Sequence, residues 1–242
     1  YEMWKKNYLG RIDSTQKEAI SRIKRGKISI PEVFFSFIQF AGYGRHGRKW
    51  RSSKHSLAIS YAWPEAISKN LNISLIPIIA STLIVDGLEN FASLRPFTLG
   101  LKWPNDLMRK EKKIGGVLVQ MINHDNNIWI VVGIGVNLLW DSLENSKNFG
   151  SLFDGDYNAD LNDELVEIIS KKMLAFTNPV DDKKVIQIFN KRDIYFEKKV
   201  KILHNRQEFF GRNCGVKKNG GICLKDSEGK KKIFLLGSLR PL

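Results

Sequence analysis

Residues 42–50, Gly42-Tyr43-Gly44-Arg45-His46-Gly47-Arg48-Lys49-Trp50, are the most informative stretch of the chain. Its three glycines let the backbone turn sharply and come close to a ligand. Arg45, Arg48 and Lys49 supply groups that bind phosphate and carboxylate. The string also satisfies G-x-G-x-x-G, which marks a dinucleotide site only where a strand precedes it and a helix follows. Residues 32–40, rich in Phe, Val and Ile, supply the strand. No helix follows, because residues 48–54 are polar and cationic with no apolar face, and residues 56–63 read as a further strand. The stretch is therefore a strand–loop–strand unit. Its long basic loop is suited to closing over a small anion, and it does not open a doubly wound nucleotide fold.

The chain has 242 residues and 43% hydrophobic content, enough for one large domain or a domain plus a small module. No run reaches the roughly 18 apolar residues of a membrane span. The longest apolar run, residues 73–88, is interrupted by Ser, Pro, Thr and Asp. Residues 1–14 lack the apolar core of a signal segment, so a cytoplasmic location without a membrane partner is expected. Cys214 and Cys223 fall in one expected hairpin without metal-ligand spacing and read as buried free thiols. The four histidines are scattered and form no zinc signature. The net charge of +14 permits nucleic-acid binding without showing it. Residues 196–242 carry twelve Lys and Arg against four Asp and Glu, a net +8, which suits an acidic protein partner.

Residues 9–13 read as a short strand. Ser14 or Thr15 then caps a helix to about Arg25, with Thr15 and Glu18 spaced as a capping box. Residues 70–91 form the longest helical pattern, with Pro77 as a kink. Strands follow over 98–103, 114–122 and 128–137, the last two joined by a turn over 124–127. Two helices, 162–176 and 181–195, precede short β-runs from 198 to 242, broken at Asn219-Gly220-Gly221 and over 226–229. The expected fold class is α/β (α+β), a mixed-sheet catalytic domain over 1–195 with a small all-β domain over 196–242.

Four islands carry chemistry. Asp13-Ser14-Thr15-Gln16 lies where a strand ends and a helix begins, so free N–H groups and hydroxyls converge there. The basic loop is the second, with Gln39 upstream able to read an amide or ureido group through donor and acceptor. The third is Lys102-Trp103-Pro104-Asn105-Asp106, in which Asp106 could hold magnesium. Close behind it, Lys113-Ile114-Gly115-Gly116-Val117 sets a lysine at a strand start beside two glycines. The fourth is Gly133-Ile134-Gly135-Val136-Asn137, glycines inside a strand that mark close approach to the backbone.

Together the islands resemble bacterial biotin protein ligases, from about Leu9 to the C-terminus. The loop looks like that family's GRGRxGRxW, KWPNDL is its motif unchanged, and KKIGGVLVQ and GIGVNL match the two strands that follow. The terminal β-module is similar by pattern to the family's SH3-like barrel. The resemblance implies a ligase that joins biotin and ATP into biotinyl-adenylate, with Mg2+, and then biotinylates a lysine of a carboxylase's biotin carboxyl carrier protein, such as that of acetyl-CoA carboxylase. It implies biotin contacts from Ser14, Thr15, Gln16, Gln39, Gly42, Tyr43, Gly44, Arg45, Lys113, Gly116 and Gly133. It places Arg48, Trp50, Lys102, Asn105, Asp106 and Asn137 on the nucleotide side, with Asp106 as the metal candidate. Lys113, Arg45 and Arg48 are its catalytic candidates. Tyr43 departs from the arginine usual after the first glycine, and His46 often corresponds to another. No winged helix precedes the motifs, which resembles the shorter, non-repressor class. A homodimer is compatible, since sheet-edge strands can pair between subunits.

Two other readings compete. Lipoate or octanoate transfer uses a similar fold, but the basic loop and KWPND together argue against it. A nucleic-acid-binding protein is motivated by the charge, but the aromatics are dispersed and no recognition motif is present.

Overall fold

The computed structural model describes residues 3–68, 70–91, 98–140, 148–155 and 157–242. Nine strands lie before residue 140: β1 (Lys5–Tyr8), β2 (Arg11–Ile12), β3 (Glu32–Ser36), β4 (Ile38–Gln39), β5 (His55–Pro64), β6 (Gly100–Lys102), β7 (Asp106–Arg109), β8 (Lys112–His124) and β9 (Asn127–Leu139). Seven form one sheet in the order β1-β3-β5-β9-β8-β7-β6, while β2 and β4 pair separately in parallel. Among the described residues only β1 and β3 run parallel within the large sheet, so the sheet is mixed. The turn between β8 and β9 holds Asp125 and Asn126 at φ of +47° and +59°, the left-handed pair a two-residue hairpin needs.

Alternation along the two central strands sorts the layers. In β9, Ile130, Val132, Ile134 and Val136 enter the large core with Leu57, Ile59, Tyr61 and Trp63 of β5. That face is covered by α2 (Ile76–Glu89) and α3 (Asn162–Met173), through Ile79, Val85, Leu165 and Ile169 among others. On the other face Trp129 and Val131 pack with Ala62 under Ala19 and Ile23 of α1 (Thr15–Lys24). The same face continues into Gly133 and Gly135, past the apolar stripe of α1, where the strand carries no side chains and the Gln16 amide and the Trp50 ring lie against it. The functional cleft occupies that floor.

After α4 (Asp182–Arg192) the chain forms β10 (Lys199–His204), β11 (Gln207–Val216), β12 (Ile222–Lys225), β13 (Lys231–Phe234) and β14 (Ser238–Pro241). The SH3-like expectation takes the form of a five-stranded antiparallel sheet in the order β13-β12-β11-β10-β14, with no ladder from β13 to β14 among the described residues. Its Val200, Ile202, Ile222 and Leu239 join the same hydrophobic core as α2. Polar ties reinforce the join: Trp103 Nε1 donates to Gly220 O at 2.9 Å, and Val216 N donates to Asn190 Oδ1 at 2.7 Å.

Several local expectations are corrected. Ser14 alone is the N-cap, accepting from Lys17 N, and Glu18 pairs with Arg22 one turn on instead of closing a capping box with Thr15. Pro77 sits in the first turn of α2, where no N–H is required, so it starts the helix and does not kink it. The single strand expected over 32–40 is split into β3 and β4, where Ser36 Oγ turns to Gly10 O and accepts from Ile38 N. The strand expected over 9–13 is only β2, and the polar edge strand β1 carried no apolar signal. Residues 103–105 form the turn after β6, and Asp106 opens strand β7. Cys223 is buried, but Cys214 is only half-buried.

Asn213 ties the two sheets together. It is fully buried, its Nδ2 donates to Asp193 Oδ2 at 2.8 Å and Tyr195 O at 3.0 Å, and its Oδ1 accepts from Gly215 N. Burial pushes the Asp193 carboxyl above its ordinary value, with the hydrogen bonds from Tyr195 N and Asn213 opposing. Asn213→Ala should leave Asp193 with the Tyr195 N bond alone and Tyr195 O with that from Lys198 N, and cost about 2–3 kcal/mol, the scale for losing a bond to a charged group. Urea denaturation checks this, and a loss under about 0.5 kcal/mol would contradict the role given to Asn213.

Candidate active site

A cavity of about 940 Å³ lies over that floor of the large sheet. Its walls are the N-terminus of α1, the basic loop, the β6–β7 turn and the edge of the C-terminal sheet around β14 and the β10–β11 turn.

The basic loop is a small hairpin. Trp50 N donates to Gly42 O at 2.9 Å, Gly44 N donates to Arg48 O at 2.8 Å, and Tyr43 bridges Lys49. Its tip, Arg45–Gly47, is a single 3-10 turn in which His46 adopts φ +57°, a left-handed position that histidine tolerates better than most residues. Trp50 closes the hairpin by lying flat on the floor at Gly135. A Cβ there would stand 2.8 Å from the indole ring, so only glycine admits it.

The charged half is organised by one carboxylate. Asp106 Oδ1 lies 2.5 Å from Lys113 Nζ, and its Oδ2 lies 3.0 Å from Lys102 Nζ. Burial alone would raise the Asp106 pKa, but the two lysines outweigh it and hold the carboxyl below its ordinary value. Lys113 Nζ also stands 5.3 Å from the centroid of the Trp50 ring. Arg45 is drawn down by burial, opposed by the field of Asp106 and furthered by that of Arg48. The cleft thus presents partly desolvated cations to whatever anion enters it.

The neutral half is a directed chain of hydrogen bonds. Gln16 Nε2 donates to Val131 O at 3.3 Å, and only its NH₂ group can face a carbonyl. Its Oε1 must then face Ser60, whose Oγ donates to it at 3.0 Å. The Ser60 proton is thereby used, so Thr15 Oγ1, 2.9 Å away, donates to Ser60. Thr15 Oγ1 is left with lone pairs beside the cavity, an acceptor waiting for an N–H. Gln39 Oε1 accepts from Thr15 N at 2.9 Å, which aims the carboxamide. At Gly133 a Cβ would overlap the Gln16 amide, so any larger residue there would push Gln16 out of this arrangement.

The structure brings Ser14, Thr15, Gln16, Gln39, Tyr43, Gly44, Arg45, Arg48, Trp50, Lys102, Asn105, Asp106, Lys113, Gly116 and Gly133 to this cavity. Gly42 and Asn137 are not on its lining. Gly42 is buried under Gln39 and Trp50. Asn137, 1% exposed, accepts from Ser53 N at 3.1 Å, and its Nδ2 has no partner among the described residues. Ser60 has no place among the sequence candidates, although a small hydroxyl in the middle of an otherwise apolar strand is itself a signal. Also without a sequence signal are Lys201, His204, Arg206 and Arg240 of the C-terminal sheet, which line the cavity, and Gln120, which bonds Gln16 and Tyr43 behind it.

The donor set does not fit a resident metal. Among the described residues no three His, Cys, Asp or Glu side chains gather, and both oxygens of Asp106 face ammonium groups.

The lowered Asp106 pKa gives a testable sign. A carboxyl whose folded pKa lies below its unfolded value contributes stability above about pH 4, lost as pH falls through the folded value. Asp106→Asn should cost about 1–3 kcal/mol at neutral pH and flatten the acid limb of stability. Urea titrations at a series of pH values check it, and an unchanged acid limb would rule out the clamp.

Known proteins share this architecture. The chain is 27% identical over 236 residues to the bifunctional ligase/repressor BirA of Escherichia coli, covering 94% of this chain and 71% of that protein. It is 32% identical over 132 residues to the biotin–[acetyl-CoA-carboxylase] ligase of Paracoccus denitrificans, covering 54% and 53%. The biotin protein ligase of Aquifex aeolicus in complex with biotin and ATP superposes with a TM-score of 0.77 at 26% identity, covering 98% of this chain and 99% of that one. Residues 8–137 match the model of the Biotin/lipoate A/B protein ligase family, and with more than half of its length inside that match, the chain belongs to that family.

Proposed function

We propose that the protein is an ATP-dependent biotin protein ligase. It forms biotinyl-5'-AMP from biotin and ATP and transfers biotin to a specific lysine of a biotin carboxyl carrier protein. One observation carries the reading: a single cavity joins an uncharged half ending in the Thr15 acceptor to a cationic half organised by Asp106. Biotin has the matching polarity, with ureido N–H groups at one end and a carboxylate at the other. Lipoate, the alternative within the family, ends in a dithiolane with no N–H to offer, and would leave Thr15 Oγ1 unsatisfied.

In the first step a biotin carboxylate oxygen attacks the α-phosphorus of ATP, and pyrophosphate leaves. Two anions must meet, so the barrier falls when fixed cations neutralise them and hold them in line. Lys113, oriented by Asp106 and by the Trp50 ring, is suited to the carboxylate and the developing charge. Arg45 and Arg48 are suited to the phosphates. Magnesium enters as part of the substrate, bound by the triphosphate, and no step is assigned to a protein-held ion. In the second step the carrier lysine amine attacks the acyl carbon, loses a proton and displaces AMP. The hairpin over the cleft keeps out water that would hydrolyse the mixed anhydride.

The same reading divides the chain at 195/196 into a catalytic unit and an SH3-like unit, which the start of a new sheet at β10 supports. A cytoplasmic location agrees with the finding that no helix among the described residues is long and apolar enough to cross a membrane. Homodimerisation through an open sheet edge such as β1 is compatible with the reading, and no nucleic acid enters it.

Incubation with biotin, ATP, magnesium and an apo carrier domain should add one biotinyl group to the carrier by mass spectrometry. An unmodified carrier, with lipoate but not biotin raising the protein's melting temperature, would favour the alternative. Lys113→Ala should slow pyrophosphate release by more than tenfold, above about 1.4 kcal/mol in the barrier. Arg45→Gly should shorten the time the enzyme retains its adenylate, read as biotinyl-AMP appearing free in solution, and retention equal to the parent's would remove Arg45 from the lid.

A further inference from the structure

Tyr43 is a neutral ring at the base of a loop that is otherwise strongly basic. Its backbone bridges Lys49 across the hairpin, so whatever holds Tyr43 holds both legs of the loop. Its Oη donates to Gln120 Oε1 at 2.9 Å. Gln120, on β8, accepts at the same oxygen from Gln16 Nε2 at 3.2 Å. Gln16 is the residue whose amide sets the donor order of Ser60 and Thr15. A continuous hydrogen-bonded path therefore joins the lid to the groups facing the uncharged end of the substrate.

We propose that Tyr43 is a positioning residue that pins the base of the basic loop to Gln120, and through Gln120 to the Gln16–Ser60–Thr15 row, before any substrate is bound. The proposal rests on the ligase reading for its meaning, though not for its geometry.

The surroundings explain why a neutral group works here. Lys17 Nζ lies 6.0 Å from the centre of the Tyr43 ring, and Arg45, Arg48 and Lys49 share the loop. A cation at residue 43 would be repelled by all of them, and the one carboxylate acting on the site, Asp13, is already paired with Lys17 at 3.6 Å. A phenol is not repelled, attracts Lys17 to its ring face and bonds an amide oxygen that needs no counter-ion. Burial, the largest influence on the Tyr43 hydroxyl, pushes its pKa up and keeps it a donor at neutral pH. The remaining cations, Arg45 and Arg48, are left for the phosphates.

The test uses the ligand-free protein first. Trypsin cuts after Arg45, Arg48 and Lys49, so the cleavage rate within the loop reports how firmly its base is held. Tyr43→Phe keeps the ring and removes the donor, and should raise that rate about three- to tenfold, the loss of one neutral hydrogen bond. Gln120→Leu should do the same, and the double variant should cut no faster than either single one. Gln120→Glu keeps an acceptor for both Tyr43 and Gln16 and should stay close to the parent rate. In turnover, Tyr43→Phe should raise the KM for biotin by a larger factor than it lowers kcat, because it loosens the row that reads the head group.

Parent-like cleavage of Tyr43→Phe, or rates that multiply in the double variant, would overturn the pin. Failure of the ligase reading would look different. The cleavage pattern would stand as expected while the parent protein left the carrier unmodified.

Discussion

A cleft built to bring two anions together must store several cations with nothing yet present to neutralise them. Two like charges about 5 Å apart repel by about 3 kcal/mol at an effective dielectric of 20. Asp106 meets that cost. It pairs with Lys102 across the β6–β7 ladder and reaches Lys113 at the start of β8, so one buried carboxylate aims two ammonium groups from different strands. The short Trp103-Pro104-Asn105 connection is what places the acid opposite the first lysine. Asn105 secures that connection by donating from Nδ2 to Val117 O, while Val117 N donates back to Asn105 O at 3.0 Å. The motif that reads as a nucleotide contact is thus also the support for the cations.

The second constraint is the floor. Strand alternation sends every other residue of β5, β8 and β9 toward the cleft, and at Gly116, Gly133 and Gly135 those residues have no side chain. Removing three side chains from the middle of a sheet forfeits packing and backbone order, a loss the large core on the opposite face can bear. The space so created is filled unequally. Trp50 covers Gly135 and the Gln16 amide covers Gly133, which leaves a slot between a polar end and a cationic end. The spacing of two glycines thereby sets the separation of the two functional halves.

Much of this was legible in the chain because the cleft is built from local signals. The glycine-interrupted strand, the lysine beside Gly115-Gly116 and the hydroxyls at an N-cap each carry their chemistry within five residues, and the structure gathers them in one cavity. What was hidden depends on pairing between distant segments. Strand β1 is polar because it lies at the sheet edge, so hydrophobic alternation could not announce it. Glu18 could have closed a capping box, but Arg22, one turn on in the same helix and fixed from outside it by Asn7 and the Phe34 ring, takes it as an ion-pair partner. Asn137 reads as a strand-end ligand, yet its register against β5 carries it under the loop to hold Ser53. The cations of the β10–β11 turn read as a solvated face until the C-terminal sheet docks and turns them to the cleft.

That docking limits how the cleft can admit and enclose its substrates. The C-terminal sheet shares one hydrophobic core with α2, and Trp103 and Asn213 are bonded across the join. Swinging the sheet away would expose that core and strand Asp193, so the cleft walls act as a fixed frame. The α1 wall is equally held, through Ala19 and Ile23 beneath it and through Gln16 to the floor. The hairpin over 42–50 is different. Its tip residues from His46 to Lys49 are exposed, and its ties are the bonds at Gly42, Gly44 and Tyr43 together with the packing of Trp50. In the reaction proposed above, enclosure of the intermediate falls to this one element: its cations would bind the phosphates and, in doing so, draw the hairpin over the acyl phosphate they hold.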